Sequence, residues 1–388
     1  MNRKQWLLPE GIDELLPDQA IQLEQLRRTL LDLYASWGYQ LVIPPFVEYR
    51  DALLTGTGQD LALQTISFAD QDSGHLLGIR ADITPQTARI DAHKLQQQAP
   101  TRLCYIDSVL HAQPNRPNGT RNPLQIGAEL YGHHGLASDQ EILQLMLTTL
   151  QQAGLDDIYL DLGHVGIYRA LAQQAGLDTT QQTTLFAALQ RKAKAEIREL
   201  LTGYPIAPAD RAMLEALTDL NGEDSILEQA RHALAAAPAT VHAAIDYLQQ
   251  LGQSLKVPVH YDLAESRTYH YQTGVVFAAF IPGQGYEIAR GGRCDNIGQA
   301  FGRARPAAGF SADLKALLAF GQTTPQTPPD RILAPAENDP ELTKRITELR
   351  AAGHTVIQAL PGQAGTPQEQ GVQSRLQHTA QGWILVPV

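Results

Sequence analysis

Residues 106–132, IDSVLHAQPNRPNGTRNPLQIGAELYG, limit the folds open to this chain more than any other stretch. Two limbs suited to strands flank PNRPNGTRNP, so the segment reads as a β-hairpin with a long polar tip. Such a pair seeds an antiparallel sheet whose two faces are assigned by alternation. The surroundings are mixed. Residues 19–37 carry apolar side chains at helical spacing, with Gly38 as the stop. YQLVIPPFVEY reads as a strand interrupted by Pro44-Pro45, and LLGIRADITPQTARIDAHKL as a strand leading into a helix that starts near Pro85. SDQEILQLMLTTLQQAG reads as an amphipathic helix capped at Ser138 or Asp139, and DIYLDLGHV as a strand.

Residues 166–255 are nearly all Ala, Leu, Gln, Glu and Lys at helical periods, which predicts a helical insertion. An antiparallel β pattern returns in VPVHYDLAESRTYHYQTGVVFAAFIPG and YEIARGGRCDNIG, and SADLKALLAFG closes it as a helix. The Thr-, Pro- and Gln-rich run at 322–330 predicts a linker. The last 58 residues read βαβ plus a final strand, a small α/β module at 331–388. The expected layout is therefore α+β: a core in two parts, 1–165 and 256–321, split by the insertion and followed by the module.

With 388 residues the chain exceeds one ordinary core. It has no 18-residue apolar run, and Pro9, Glu10 and Asp13 break any signal-like stretch near its start, so no membrane span or secretory leader is expected. Two cysteines, Cys104 and Cys294, speak against a disulfide framework and for a reduced, cytoplasmic setting. No Cys/His spacing suggests zinc, and the adjacent pair His133-His134 cannot chelate as an i,i+4 pair does. The net charge of −11 weighs against nucleic-acid binding, which draws its affinity from cations.

Several ordered motifs carry a resemblance over roughly residues 5–320. LPEGIDELLPDQA, PPFVEYRDALLTGTG, IRADITPQTAR, QIGAE and IARGGRCDNIG are similar, in order, to segments of the histidyl-tRNA synthetase core. The resemblance implies a class II aminoacyl-tRNA synthetase-like antiparallel sheet flanked by helices, with a tail like a shortened anticodon-binding domain. In that family the first hairpin limb carries an Arg for the ATP α-phosphate and the amino-acid carboxylate and, two residues on, a Glu at the adenine end. Here those places hold His111 and Gln113, and the closing Glu-Arg pair is Lys315-Ala316. Adenylation needs cations on the phosphates, so the resemblance implies a chain without catalytic residues.

The amino-acid side is better kept. Asp82 and Thr84 stand where the family receives the substrate ammonium, and Gln125 and Glu129 keep the types that complete the pocket. Arg267 matches the family's Arg for a substrate carboxylate, and Tyr269 and Tyr271 match its imidazole wall, although Gln272 replaces the second Tyr of that motif. From the residues alone, Asp82 and Glu129 could equally pair with Arg80, Arg121 or Arg267 in a structural network. Tyr269 and Tyr271 could equally be packing residues on one strand face. Gly291-Gly292 fits strand packing or a bulge as well as close approach to a ligand. Arg303 and Arg305 read as a solvated or interface pair, and TGTGQD at 55–60 lacks the context of a phosphate loop.

The run from Tyr269 through FGRARPAAGFSADL is most like the branch of this family that regulates ATP phosphoribosyltransferase. That resemblance implies a homodimer that joins a short-form catalytic subunit and helps confer histidine feedback on the first step of histidine biosynthesis. It implies no cofactor, no metal, no nucleic acid and no membrane partner. An active histidyl-tRNA synthetase and a stand-alone histidine-binding module remain the alternatives.

Overall fold

The computed structural model describes residues 6–114, 119–265, 272–322, 331–363, 366 and 369–388, apart from the side chain of Gln59. The chain falls into two compact units, Met1–Thr323 and Thr324–Val388. In the first, the hairpin strands Thr101–Ser108 and Leu124–Tyr131 pair antiparallel as the second and third strands from one edge of a nine-stranded sheet. From the second limb the order continues through Ala307–Asp313, Ala289–Arg293, Val275–Phe280, Tyr159–His164, Val259–Asp262 and the short Asn221–Gly222. Gln40–Leu41 closes the other edge, parallel to Thr101–Ser108.

Alternation divides the sheet sharply. Ile106, Ile126, Ala128, Ala289, Phe310, Phe277 and Leu162 point to one face, where they pack with Leu30 and Tyr34 of the helix Pro17–Ser36 and with Leu143 and Met146 of the helix Leu136–Gln152. The opposite face of the central strands carries Tyr105, Gln125, Gly127, Glu129, Gly309, Ser311, Arg290 and Ala278. That second face holds the candidate site, and Gly127, Gly309, Ser311 and Ala278 keep several of its positions small.

Three local expectations need correction. Pro44-Pro45 does not interrupt one strand. The chain leaves the large sheet after Leu41 and enters a separate three-stranded sheet at Val47–Tyr49, because proline cannot supply the ladder N–H. Ser138 and Asp139 are not helix caps. The helix starts at Leu136 behind Gly135, whose φ of +107° favours glycine, and both polar side chains turn inward. They are needed there because the guanidinium of Arg293 is 4% exposed and donates to Ser138 Oγ at 2.6 Å and Asp139 Oδ1 at 2.6 Å. Val259–Asp262, finally, pairs parallel with Tyr159–His164, since the helices between them return the chain in the same direction.

Six helices from Val165–Gln174 to Ala239–Gln253 occupy the insertion stretch. Asp178 starts one with a reciprocal capping box to Gln181. Tyr247 of the last of these helices donates to Asp139, tying the helical layer to the buried Arg293 cluster. The second unit holds a four-stranded sheet, ordered Thr355–Gln358, Arg331–Ala334, Ser374–Thr379, Gly382–Pro387, with the helix Pro340–Ala351 packed on it through Leu342, Ile346 and Leu349. The strand Ser374–Thr379 escaped the sequence reading because Leu376 is its one buried side chain.

Candidate functional site

On the open face, four of the side chains singled out in the sequence come together with a fifth that was not. Asp82 lies in the turn before the helix Thr84–Arg89, and its Oδ1 accepts from Thr84 N at 3.0 Å and from Gln125 Nε2 at 2.7 Å. Gln125 Oε1 accepts from Ile83 N at 2.9 Å, so this amide braces the Asp82 turn at both ends. Thr84 Oγ1 is 3.0 Å from the hydroxyl of Tyr105, and both hydroxyls favour the ionised form of the Glu129 carboxyl next to them. Tyr105 was missed because YIDSV reads as an ordinary strand in which a lone aromatic suggests packing. Its register partner, Gly127 in QIGAE, was the available clue: a Cβ there would stand 2.4 Å from the Tyr105 hydroxyl.

Burial governs the electrostatics. Glu129 is 6% exposed, and desolvation, helped by the charge of Asp82, pushes its pKa up to about 8. Near neutral pH it therefore carries a proton that an incoming cation would displace. Among the described residues Asp82 Oδ2 accepts no hydrogen bond, so the partly buried Asp82 offers a carboxylate oxygen that can accept from a cationic donor. The competing idea of a structural ion-pair network fails for two of its three arginines. Arg80 is spent on Asp107 at 2.8 Å and on the carbonyls of Ser108 and Pro44. Arg121 donates to the carbonyls of His111 and Glu10. Arg267, Tyr269 and Tyr271 lie outside the described residues.

The other half of the hairpin is closed in a different way. His111 is 9% exposed, its Nε2 is 3.0 Å from Ala81 O, and burial together with the charge of Arg290 lowers its pKa, so the ring is neutral. Gln113 is exposed and carries no charge. Lys315 does not project as a free cation: its Nζ is 3.2 Å from both carboxylate oxygens of Asp13 and 2.8 Å from Asn122 O. Ala316 is buried in the closing helix Leu314–Phe320. The N-terminal arm is laced to the same corner through Arg121 N to Gly11 O at 2.6 Å and Asn122 Nδ2 to Asp13 O at 3.0 Å. Elsewhere Arg305 is buried against Asp91 at 2.8 Å, which makes it a fastening of the chain rather than a solvated arginine. Among the described residues no helix is long and apolar enough to cross a membrane.

Comparison with known proteins agrees with this split architecture. The histidyl-tRNA synthetase family model matches residues 11–317, and that of the ATP phosphoribosyltransferase subunit HisZ C-terminal domain matches residues 329–386. A relative from Methylococcus capsulatus, an ATP phosphoribosyltransferase regulatory subunit, is 53% identical over 99% of this chain and 96% of its own. A solved structure from Bacillus halodurans, described as an ATP phosphoribosyltransferase regulatory subunit/histidyl-tRNA synthetase, superposes with a TM-score of 0.82 at 26% identity, covering 94% of this chain and 96% of that one. Histidyl-tRNA synthetase from Nostoc sp. shares the fold, with a TM-score of 0.77 at 19% identity over 98% of this chain and 97% of its own. The α+β class II synthetase-like fold expected from the motifs is thus the one found, and the chain belongs to the family of ATP phosphoribosyltransferase regulatory subunits, which is built on a histidyl-tRNA synthetase core.

Proposed function

We propose that this chain is a non-catalytic subunit that joins a short-form ATP phosphoribosyltransferase, raises its activity and transmits inhibition by histidine. The observation that carries the proposal is the divided fate of one hairpin. Its second limb, with Gln125 and Glu129, meets Asp82, Thr84 and Tyr105 in a cradle suited to an amino group, which supports retained recognition of histidine. Its first limb presents a neutral His111, and Lys315 is committed to Asp13, which supports the loss of adenylation. Removing one group that stabilises developing charge costs about 3 kcal/mol, so losing two leaves no useful rate.

The self-association we propose draws support from the surface around the three-stranded sheet. Ile43 is 74% exposed, and Tyr49 and Phe68, both opposite Leu77 in the strand register, are exposed on one face of that sheet. Apolar side chains gathered in this way call for a cover, and a second copy of the chain is the cover we assign. Coupling to the transferase is then a difference in histidine affinity between active and inhibited assemblies.

The decisive experiment mixes the purified chain with a short-form transferase and follows phosphoribosyl transfer with and without histidine. A stable complex, a faster transferase and histidine inhibition that depends on this chain are expected. No complex and an unchanged rate would refute the assignment, and histidine-dependent ATP–pyrophosphate exchange by the chain alone would return it to the synthetases.

A further inference from the structure

The open sheet face holds one cation without a task in the site as described. Arg290 pairs in register with Ser311 on one side and Ala278 on the other, and Ser311 pairs with Gly127. Strand alternation therefore sets Arg290 on the same face as Gln125 and Glu129, two strands from the hairpin's second limb and about 10 Å from it at the backbone. Ser311 is the register residue between them, and an arginine side chain is long enough to cover most of that gap. Its charge is felt at His111 on the hairpin's first limb. Among the described residues the guanidinium donates no hydrogen bond, and its one ion contact is with Glu287 at 3.5 Å, with the arginine side chain 53% exposed.

We propose that Arg290 receives the carboxylate of an amino acid whose ammonium group sits at Asp82 and Glu129, so that a central strand supplies the cation missing at position 111. The proposal rests on the amino-acid pocket proposed above and adds a carboxylate-selecting residue to the Arg267 that the family resemblance implies. A planar guanidinium fork suits a carboxylate. A free phosphate would bring like charge toward Asp82, whereas a zwitterion matches its ammonium to the acids and its carboxylate to the fork.

The test is calorimetric titration of the full chain with L-histidine and with histamine, which keeps the imidazole and the amine but lacks the carboxylate. The parent chain should bind L-histidine about tenfold or more tighter than histamine, the worth of one charge-assisted contact. Arg290→Gln should bring L-histidine down to the level of histamine and leave histamine affinity in place, which also reports an intact fold. Arg290→Lys should restore part of the difference. An unchanged ratio in Arg290→Gln, or equal loss of both ligands, overturns the role of Arg290 while the pocket stands. Displacement of L-histidine by inorganic phosphate in the parent but not in Arg290→Gln overturns the choice of a carboxylate. Binding of neither ligand to the parent overturns the pocket itself, and this inference with it.

Discussion

Gly309 lies across the strand pair from Glu129, and a methyl group on it would stand 1.9 Å from the Glu129 Oε2. The carboxyl therefore occupies the space a side chain at 309 would need. Gly309→Ala is expected to destabilise the chain by about 1–3 kcal/mol through overpacking and to abolish L-histidine binding. Urea unfolding and titration read the two effects; an unchanged midpoint would mean that Glu129 has another place to go.

The pH dependence follows from two buried groups of opposite sign. Glu129 titrates near 8 in the folded chain against an ordinary 4.5, so between those values the folded state keeps a proton that the unfolded state has lost, and stability falls as pH rises. His164 is lowered to about 4, chiefly by burial, so its contribution is lost as pH falls from 6.5 toward 4. The interval from pH 6.5 to 8 thus isolates Glu129. Across it the unfolding free energy should drop by roughly 2 kcal/mol, and Glu129→Gln should flatten the slope. A parent chain with a flat profile there would contradict the buried-acid account.

Lys315 holds the N-terminal arm at the place where the resemblance to the synthetase family implies a Glu. Lys315→Glu sets like charges face to face at Asp13 and should release residues 9–13. Hydrogen exchange of the Arg121 amide, which donates to Gly11 O, should quicken. Because Asp13 is 43% exposed, the global loss should stay near 1 kcal/mol.

Asp139 is fully buried and accepts from Arg293 and Tyr247. Burial outweighs these partners and holds its pKa above the usual carboxylate range. Asp139→Ala leaves the buried Arg293 with Asp295, at 3.0 Å, as its remaining acid and should cost about 3 kcal/mol, seen as a large fall in the denaturation midpoint.

Ile43→Asp should convert the dimer we propose to monomer, with sedimentation velocity as the measure. A parent chain that sediments as a monomer would remove the self-association from the proposal and leave Ile43 an ordinary exposed side chain.

The sequence revealed the hairpin because both limbs alternate and the loop between them is saturated with turn formers. It also brought Asp82, Thr84, Gln125 and Glu129 forward as one set, through motif likeness; nothing in their spacing brings position 82 beside position 129. What stayed hidden depends on contacts distant in sequence. Tyr105 is one aromatic among many until its hydroxyl is seen to reach Thr84, 21 residues away. Ser138 and Asp139 look like caps from local rules, and only Arg293, 154 residues further on from Asp139, turns them inward. Lys315 reads as a substitution that removes a carboxylate, whereas Asp13, 302 residues away, gives it a purpose.

The bare positions of the open face have a consequence for how this surface can change over time. Gly127 makes room for Tyr105, Gly309 for Glu129 and Gly292 for Gln272, so each gap on one strand is filled by a side chain from another segment. A mutation at any one glycine is felt by a residue elsewhere in the sequence, and repair needs a simultaneous change there. Single-step drift is blocked on this side of the molecule. The first limb and the arm corner, where His111 meets a backbone carbonyl and Lys315 meets an acid, can be re-wired one residue at a time. An ancestral surface can lose its chemistry and keep its mould when the two are written in such different grammars.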